Sequence, residues 1–312
     1  MNLFVVSTPL QLLNAIEAKK HFRISSEKSF LVIYAAPLRI NHMKKILDSN
    51  EWGLIEYIGH EDRSGKDVSK ILDKIKRWVK SCNTIKRSIE NICNQTKHVE
   101  TVFIGNYDVE VHIHIANIMS PKSVVLLDDG NAVIKVSYYR NKNTPYFLTR
   151  SRIADKAKFI FMKYMMGYRI CHIPKLTYFT SYLIDVKAHE VVVPCNYVTY
   201  GSSRDRADIK VLERVVYFVG SPLVEQNIVN RRDFENLMLS VKAYFRGCQI
   251  TYIQHPAETS LEILRMLQNL GIGCIKYDNP LEIVLRRSVE LPRRIASFYS
   301  TALHSLNVIF SD

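Results

Sequence analysis

The sequence predicts an α/β protein of two domains, each built from a parallel sheet with helices on its faces. Short apolar runs alternate with amphipathic stretches of helical length along nearly the whole chain, the order typical of parallel sheets. Polar side chains directly follow several of these runs, where ligands of open α/β sheets bind. At 312 residues the chain is long enough for two domains of about 100 to 200 residues each. We therefore expect two Rossmann-like domains that face each other across a cleft.

Five strands are expected in the first 130 residues, each marked by an apolar run: 3–6, 30–35, 54–58, 99–105 and 124–127. Helices are expected between them, after Thr8, over 39–47, over 66–93 as one helix or a pair, and from 106 or 108 to 119. Thr8 can cap the first helix, Pro9 suits its first position, and Gln11 completes a capping box. His112 and His114 lie two apart on a helix and do not face each other, which argues against a joint metal site.

Beyond Gly130 the pattern is less regular. Residues 134–139 are expected to form a strand or part of an excursion over the active face. The segment 150–168 interleaves basic residues (Arg150, Arg152, Lys156, Lys158, Lys163) with apolar ones (Ile153, Phe159, Ile160, Phe161, Met162, Met165, Met166). Such a helix can lie on an anionic membrane surface, or it can bury one face and solvate its lysines, and the sequence leaves both open. Residues 176–184 and 191–193 return to strand and close the first domain.

A small, polar stretch at residues 200–206 is the predicted linker, and a second β/α series follows it. Strands are expected over residues 215–219, 250–253, 274–277 and 294–298. Helices are expected over 231–245 and 259–270, from Pro280, and briefly after Thr301. The predicted domains are residues 1–203 and 204–312.

Composition narrows the functional class. Lys and Arg number 43 against 30 Asp and Glu, a formal charge of +13, which favours an anionic partner: nucleic acid, anionic lipid or a phosphorylated small molecule. No apolar run approaches the roughly 20 residues of a membrane span, and the start of the chain lacks a signal-peptide pattern. The six cysteines show no metal-ligand spacing, so we expect reduced, mostly buried thiols of a cytosolic protein.

Two carboxylates end the most apolar strand of the first half. Asp128, Asp129 and Gly130 follow four branched apolar residues, so the carboxylates are placed for chemistry and the glycine lets the backbone turn sharply. An Asx turn without catalytic meaning is the alternative.

The second half carries matching polar strand ends. Gly220 and Ser221 follow one strand, and His255-Pro256 follows the next, where the proline biases the histidine toward an extended backbone. An imidazole there suits a general acid or a phosphate partner. Ser300 and Thr301 precede a short helix and can form an anion site, although capping alone also explains them. Glu282 begins another helix, where stabilisation by the helix dipole is the simpler explanation.

Asp128-Asp129-Gly130, His255-Pro256 and Ser300-Thr301, in this order, resemble the three motifs shared by bacterial sialyltransferases. The opening Leu3-Phe4-Val5-Val6-Ser7-Thr8-Pro9-Leu10-Gln11 is similar to that of glycosyltransferase family 52, which includes lipooligosaccharide and capsule sialyltransferases. The resemblance covers nearly the whole chain. It implies a GT-B fold, a CMP-sialic acid donor, inversion at the anomeric carbon, and no metal or other cofactor.

The resemblance also implies roles for single residues. Asp129 becomes the base, His255 the acid or phosphate partner, and Ser300 and Thr301 contact the donor phosphate. Glu282 resembles the acidic residue that binds the cytidine ribose in related enzymes. Asp128, Gly130, Gly220, Ser221 and Pro256 are the remaining candidate substrate-binding residues. The first domain is then the acceptor side with the catalytic Asp, and the second binds CMP.

The sequence thus predicts an inverting sialyltransferase that moves sialic acid to a terminal sugar, galactose by preference, of lipooligosaccharide or capsular polysaccharide. It is expected to be cytoplasmic and peripherally bound to the anionic inner face of the cell membrane. A related enzyme with another nucleotide sugar is the alternative. A nucleic-acid-binding protein is disfavoured because the basic residues are dispersed. Three points stay open: whether Asp128 or Asp129 is the base, which linkage is formed to the acceptor sugar, and whether the chain forms a homodimer.

Overall fold

The computed structural model describes residues 1–60, 71–96, 98–144, 153–201 and 209–310. Two compact units divide the chain between Asn196 and Tyr197. The predicted boundary lay between residues 203 and 204, whereas in the structure residues 197–201 belong to the second unit. The predicted linker lies largely in 202–208, outside the described residues.

The first unit contains a seven-stranded, entirely parallel sheet. Its strands in chain order are β1 (Asn2–Val6), β2 (Ser29–Ala35), β3 (Leu54–Gly59), β4 (Thr101–Ile104), β5 (Ser123–Leu127), β6 (Thr177–Thr180) and β7 (Val191–Pro194). In space they run β3-β2-β1-β4-β5-β6-β7. The direction of strand addition reverses between β1 and β4, and ligands of such sheets bind at that point.

Helices cover this sheet: α1 (Pro9–His21), α2 (Pro37–Ile46), α3 (Ile71–Gln95), α4 (Glu110–Met119), α5 (Ala132–Asn141) and α6 (Ile153–Ile160). A π-helical turn, Phe161–Met165, continues α6. The core is close-packed, and Phe4 and Phe103 stack at 4.2 Å between ring centroids on neighbouring strands. The predicted capping role of Thr8 is confirmed, because its side chain accepts the Gln11 N–H at 3.2 Å.

The second unit has a four-stranded parallel sheet. The strands β8 (Lys210–Val219), β9 (Gln249–Ile253), β10 (Gly273–Ile275) and β11 (Glu290–Ser297) lie in the order β10-β9-β8-β11. The helices are α7 (Val198–Gly201), α8 (Arg231–Tyr244), α9 (Leu261–Asn269), α10 (Leu281–Arg287) and α11 (Ala302–Phe310). The order reverses between β8 and β11, so the strand ends that carry Gly220 and Ser300 are neighbours at the equivalent edge.

Several local predictions are wrong. Residues 134–139 are helical, within α5, because Val133 and Val136 face the core at helical spacing. The strand predicted over 176–184 ends at Thr180, where Ser181 turns to bind Asp128. β8 begins at Lys210, five residues early, since β11 pairs with it from Glu290 onward.

The six cysteines are free thiols, but they are not mostly buried as expected. Only Cys82 and Cys195 are buried, and Cys171 is exposed. Cys93, Cys248 and Cys274 are only partly buried, which accounts for the rest of the difference.

A buried ion pair fastens α5 to the far edge of the first sheet. Arg140 is 1% exposed, and its Nε donates to Glu190 Oε1 at 2.8 Å. Its Nη1 donates to the Tyr107 hydroxyl at 3.0 Å and its Nη2 to the Ile173 carbonyl at 2.9 Å. The Tyr178 hydroxyl donates to Glu190 Oε2 at 3.2 Å, so both oxygens of the carboxylate accept hydrogen bonds.

We predict that Glu190→Gln lowers the free energy of unfolding by about 3–5 kcal/mol, because it leaves the Arg140 guanidinium buried without a countercharge. The matched control is Glu290→Gln, which breaks an exposed pair with Lys210 and should cost at most about 1 kcal/mol. Urea unfolding of both variants is the measurement. Equal losses would show that Arg140 is not held by this charge.

Candidate functional site

Three loops meet at the carboxyl edge of the first sheet, beyond β1, β4 and β5. The Asn14 side-chain amide, on the helix after β1, donates to the Asp128 carbonyl at 2.9 Å. The Asn106 amide, beyond β4, donates to Asp129 Oδ2 at 2.6 Å. Gly130 has φ of 60°, in the left-handed region, and turns the chain away from the edge as predicted.

Asp129 is half-buried and surrounded by polar donors. Beside Asn106, the side chains of Gln11 and Thr8 hydrogen-bond to its carboxylate, and the Arg39 charge lies nearby. Burial nevertheless outweighs these contacts and raises the pKa of Asp129. A carboxylate with a raised pKa that still reaches solvent is suited to take a proton.

Asp128 is enclosed, with 2% of its surface exposed. Its Oδ2 accepts the Ser181 N–H at 2.8 Å and the Ser181 hydroxyl at 3.1 Å. Its Oδ1 is buried and has no hydrogen-bond partner among the described residues. Burial raises the pKa of Asp128 to about 6, opposed by Thr180 and Ser181 and aided by the neighbouring Asp129 charge. The two carboxylates therefore have different environments: Asp128 faces the interior and Asp129 the edge.

His112 holds the loops on either side of the site together, a role that sequence reasoning missed. Its Nδ1 accepts the Asn106 N–H at 3.2 Å, so Nε2 carries the hydrogen and donates to the Ser7 hydroxyl at 2.7 Å. Burial lowers the pKa of His112 to about 3, which keeps the ring neutral. No local pattern in the sequence signals this role, because Ser7 and Asn106 are joined to His112 only in the folded structure.

His255 lies in the turn beyond β9, at the carboxyl edge of the second sheet. Its side chain is exposed, and its Nδ1 accepts the Ala257 N–H at 3.1 Å. Partial burial of the ring lowers the pKa of His255, the Glu225 charge raises it, and the Lys276 charge lowers it further. Pro256 is exposed beside it.

The loops beyond β8 and β11 contact each other, as the strand order requires. The Ser221 hydroxyl donates to the Tyr299 carbonyl, and the Ser297 hydroxyl donates to the Val219 carbonyl at 2.7 Å. Ser300 Oγ accepts the Ala302 N–H at 3.3 Å, so Ser300 caps α11, and its own hydroxyl hydrogen can still be donated.

Glu282 is buried rather than placed on the surface. Its carboxylate accepts the Ser305 hydroxyl of α11, and burial raises its pKa. Glu282 is thereby tied to the helix that Ser300 and Thr301 begin.

The candidate residues thus fall into two groups, one for each sheet. Asp128, Asp129 and Gly130 belong to the first unit. Gly220, Ser221, His255, Pro256, Glu282, Ser300 and Thr301 belong to the second. In the described ranges, no group of three or more His, Cys, Asp and Glu side chains is placed to hold a metal ion.

Two solved structures show the fold class. UDP-GlcNAc 2-epimerase from Methanocaldococcus jannaschii aligns with a TM-score of 0.52 at 10% identity, covering 99% of this chain and 82% of that one. A variant of Os79 from O. sativa, in complex with UDP, aligns with a TM-score of 0.51 at 8% identity, covering 99% and 79%. The protein therefore has two Rossmann-like domains of the GT-B type, as the resemblance implied.

The sequence family is shown by a comparison with family models and does not depend on these structural alignments. The model of the alpha-2,8-polysialyltransferase (POLYST) family matches residues 2–312. The chain belongs to the alpha-2,8-polysialyltransferase family, and it is a glycosyltransferase of the sialyltransferase type. No curated protein sequence matches it. Membership of glycosyltransferase family 52 stays a prediction.

The raised pKa of Asp128 gives a prediction about stability. Between pH 6 and pH 4 the folded protein binds a proton at Asp128 that the unfolded chain does not, so this carboxyl favours folding as the pH falls. Asp128→Asn cannot take up the proton. Relative to the variant, wild type should therefore gain up to about 1.4 kcal/mol per pH unit between pH 6 and pH 4.

Urea unfolding of both proteins at pH 7.5, 6 and 4.5 is the measurement. A stability difference that stays constant over these pH values would contradict the raised pKa. Asp185→Asn, at an exposed position of the same unit, is the control for the loss of a carboxylate charge.

Proposed function

We propose that this protein is an inverting sialyltransferase that uses CMP-sialic acid. The observation that carries the proposal is the half-buried Asp129, held by Asn106 at the switch point of a GT-B domain, in a chain of the polysialyltransferase family. The expected absence of a metal or other cofactor is part of the proposal, and transfer in the presence of EDTA is its check.

The reaction needs a group that accepts a proton and groups that stabilise a leaving phosphate. An acceptor hydroxyl attacks the anomeric carbon of sialic acid from the face opposite CMP, and its proton passes to Asp129. The bond from that carbon to the CMP phosphate breaks, and its electron pair stays on the phosphate oxygen. His255, Ser300 and Thr301 donate hydrogen bonds to that charge. Asp128 is too enclosed to meet the acceptor, which supports Asp129 as the base.

Two acceptor glycans are supported by different observations. The resemblance of the motifs implies a galactose-terminated lipooligosaccharide or capsular glycan. The name of the family instead favours a glycan that already ends in sialic acid, extended through an α-2,8 linkage. Incubation with CMP-sialic acid and either a lactoside or an α-2,8-disialyl lactoside, with CMP release measured, separates the two. Transfer only from another nucleotide sugar would instead support the alternative donor.

We also propose that the protein binds the anionic inner face of the cell membrane through α6 and the turn after it. Phe159, Met162 and Met166 are buried, which accounts for part of the apolar pattern by packing alone. Ile160, Tyr164 and Met165 are 55%, 70% and 75% exposed. Lys163 Nζ lies 5.3 Å from the Tyr164 ring centroid, so charge and apolar surface adjoin.

Arg150 and Arg152, two of the basic residues in the predicted segment, lie outside the described residues. Within the described ranges, no helix is both long and apolar enough to cross a bilayer.

Asp129→Asn should lower kcat by about 10²- to 10⁴-fold, because the amide cannot accept the hydroxyl proton. CMP affinity should change little. Initial rates of CMP release and calorimetric titration of CMP are the measurements, with Asp185→Asn as the exposed control. If Asp129→Asn keeps near-normal turnover and Asp128→Asn does not, the base is Asp128.

Ser300→Ala and Thr301→Ala should each weaken CMP binding by roughly 10- to 100-fold, since a hydrogen bond to a charged phosphate contributes about 1.5–3 kcal/mol. Titration of CMP against each variant measures this. Ser240→Ala, at an exposed position of α8, is the matched control. Unchanged affinity in both variants would move the phosphate site elsewhere.

Replacing Lys156 and Lys163 by Glu should abolish cosedimentation with phosphatidylserine-containing vesicles, because the surface charge then repels the lipid. The control pair, Lys122→Glu with Lys175→Glu, makes the same change of net charge at exposed positions elsewhere in the first unit. Wild-type binding should weaken between low and physiological salt. Binding that ignores salt, or equal loss in both double variants, would refute the membrane contact.

A further inference from the structure

A buried carboxylate lies directly under the turn that carries His255. Glu258 is 5% exposed, and its Oε2 accepts the His255 backbone N–H at 2.6 Å. Its Oε1 accepts the Tyr252 hydroxyl at 2.6 Å. The backbone closes the same turn, because the Glu258 N–H donates to the His255 carbonyl at 2.9 Å. The Gln254 side-chain amide also donates to the Glu258 carbonyl at 2.7 Å. Side chains and backbone thus commit several hydrogen bonds to the short turn between β9 and α9.

The end of β8 leaves space for this carboxylate. A Cβ at Gly220 would lie 2.5 Å from Glu258 Oε2 and 2.6 Å from the Tyr252 hydroxyl. Real Cβ atoms do not approach other atoms so closely, so any larger residue would push the carboxylate away from the His255 N–H. Gly220 was predicted as a substrate-binding residue, and this contact gives it a second role.

The turn also determines which ring nitrogen of His255 can donate. Since Nδ1 accepts the Ala257 N–H, the neutral ring carries its hydrogen on Nε2. Protonation of Nδ1 would set two hydrogens against each other and break the contact. The turn therefore presents His255 as a neutral Nε2–H donor and disfavours the imidazolium form.

From these contacts we infer that Glu258 is a positioning residue: its carboxylate fixes the turn so that His255 presents Nε2–H to the phosphate of the nucleotide-sugar donor. This inference rests on the proposed function. It gives a structural reason for the hydrogen bond from His255 to the leaving phosphate, whereas the sequence left open whether His255 is an acid or a phosphate partner.

The test is a double-variant cycle. Glu258→Gln removes the charge and one acceptor, and it should lower kcat by about 10²-fold while the backbone fold persists. If Glu258 acts through His255, the same change should have less than about a twofold effect on kcat in a His255→Ala background. Glu262→Gln, an exposed carboxylate on α9, is the matched control and should leave kcat unchanged in both backgrounds. An equal loss in both backgrounds would show a merely structural role and overturn the inference.

A second readout does not depend on activity. Long-range ¹⁵N NMR of the histidine rings should show a single Nε2–H tautomer for His255 in wild type and a mixture in Glu258→Gln. Should Glu258→Gln be too unstable to purify, Gly220→Ala displaces the same carboxylate and should give the same mixture. A wild-type ring without the Nε2–H tautomer, or a variant ring identical to wild type, would refute the inference. Absence of CMP release by wild type, with these spectra as expected, would refute the proposed function alone.

Discussion

The hydrogen-bonded pair of Arg140 and Glu190 joins the helix after the Asp pair to the far edge of the first sheet. Arg140 lies in the last turn of the helix that follows Asp128 and Asp129, while Glu190 precedes the edge strand β7. A buried guanidinium is costly unless its donors are paired, and here the carboxylate, Tyr107 and the carbonyl of Ile173 pair them. The direction of the chain leaving the Asp pair is therefore set by a contact at the far end of α5.

Both sheets have a glycine directly after a strand at the switch point, packed against a buried side-chain oxygen. A glycine follows a strand because a side chain there would collide with a buried acceptor: Gln11 Oε1 beside Gly105 and Glu258 Oε2 beside Gly220. Each acceptor in turn binds the backbone N–H of a neighbouring loop residue, Ser7 at 2.7 Å and His255 at 2.6 Å. Loop positions at the edge are thus fixed from inside the sheet, which gives the exposed side chains a rigid base.

The contrast between local spacing and contacts made only in the folded chain explains which features could be predicted from the sequence. Runs of apolar residues and the polar strand ends after them depend on local spacing, so the parallel sheets and the position of polar residues at their strand ends were predictable. The contacts of His112 with Ser7 and Asn106 join loops that are far apart in the chain. The contact of Glu258 with His255 depends on which oxygen faces which N–H. Periodicity contains no such information. The helix over 134–139 was missed because its exposed Ile134 and Tyr138 look like the outer face of a strand.

Burial gives the adjacent carboxylates of Asp128 and Asp129 different environments, a difference that the sequence does not show. The pKa of Asp128 is raised to about 6 by its enclosure, and the charge of Asp129 contributes to that rise. Electrostatic coupling is reciprocal, so the charge on Asp128 in turn makes Asp129 a stronger base. Below pH 6, protonation of Asp128 removes that support, and Asp129 then holds its proton less tightly. The interior residue can therefore tune the edge residue without touching the substrate, which gives both members of the pair a reason to be acidic.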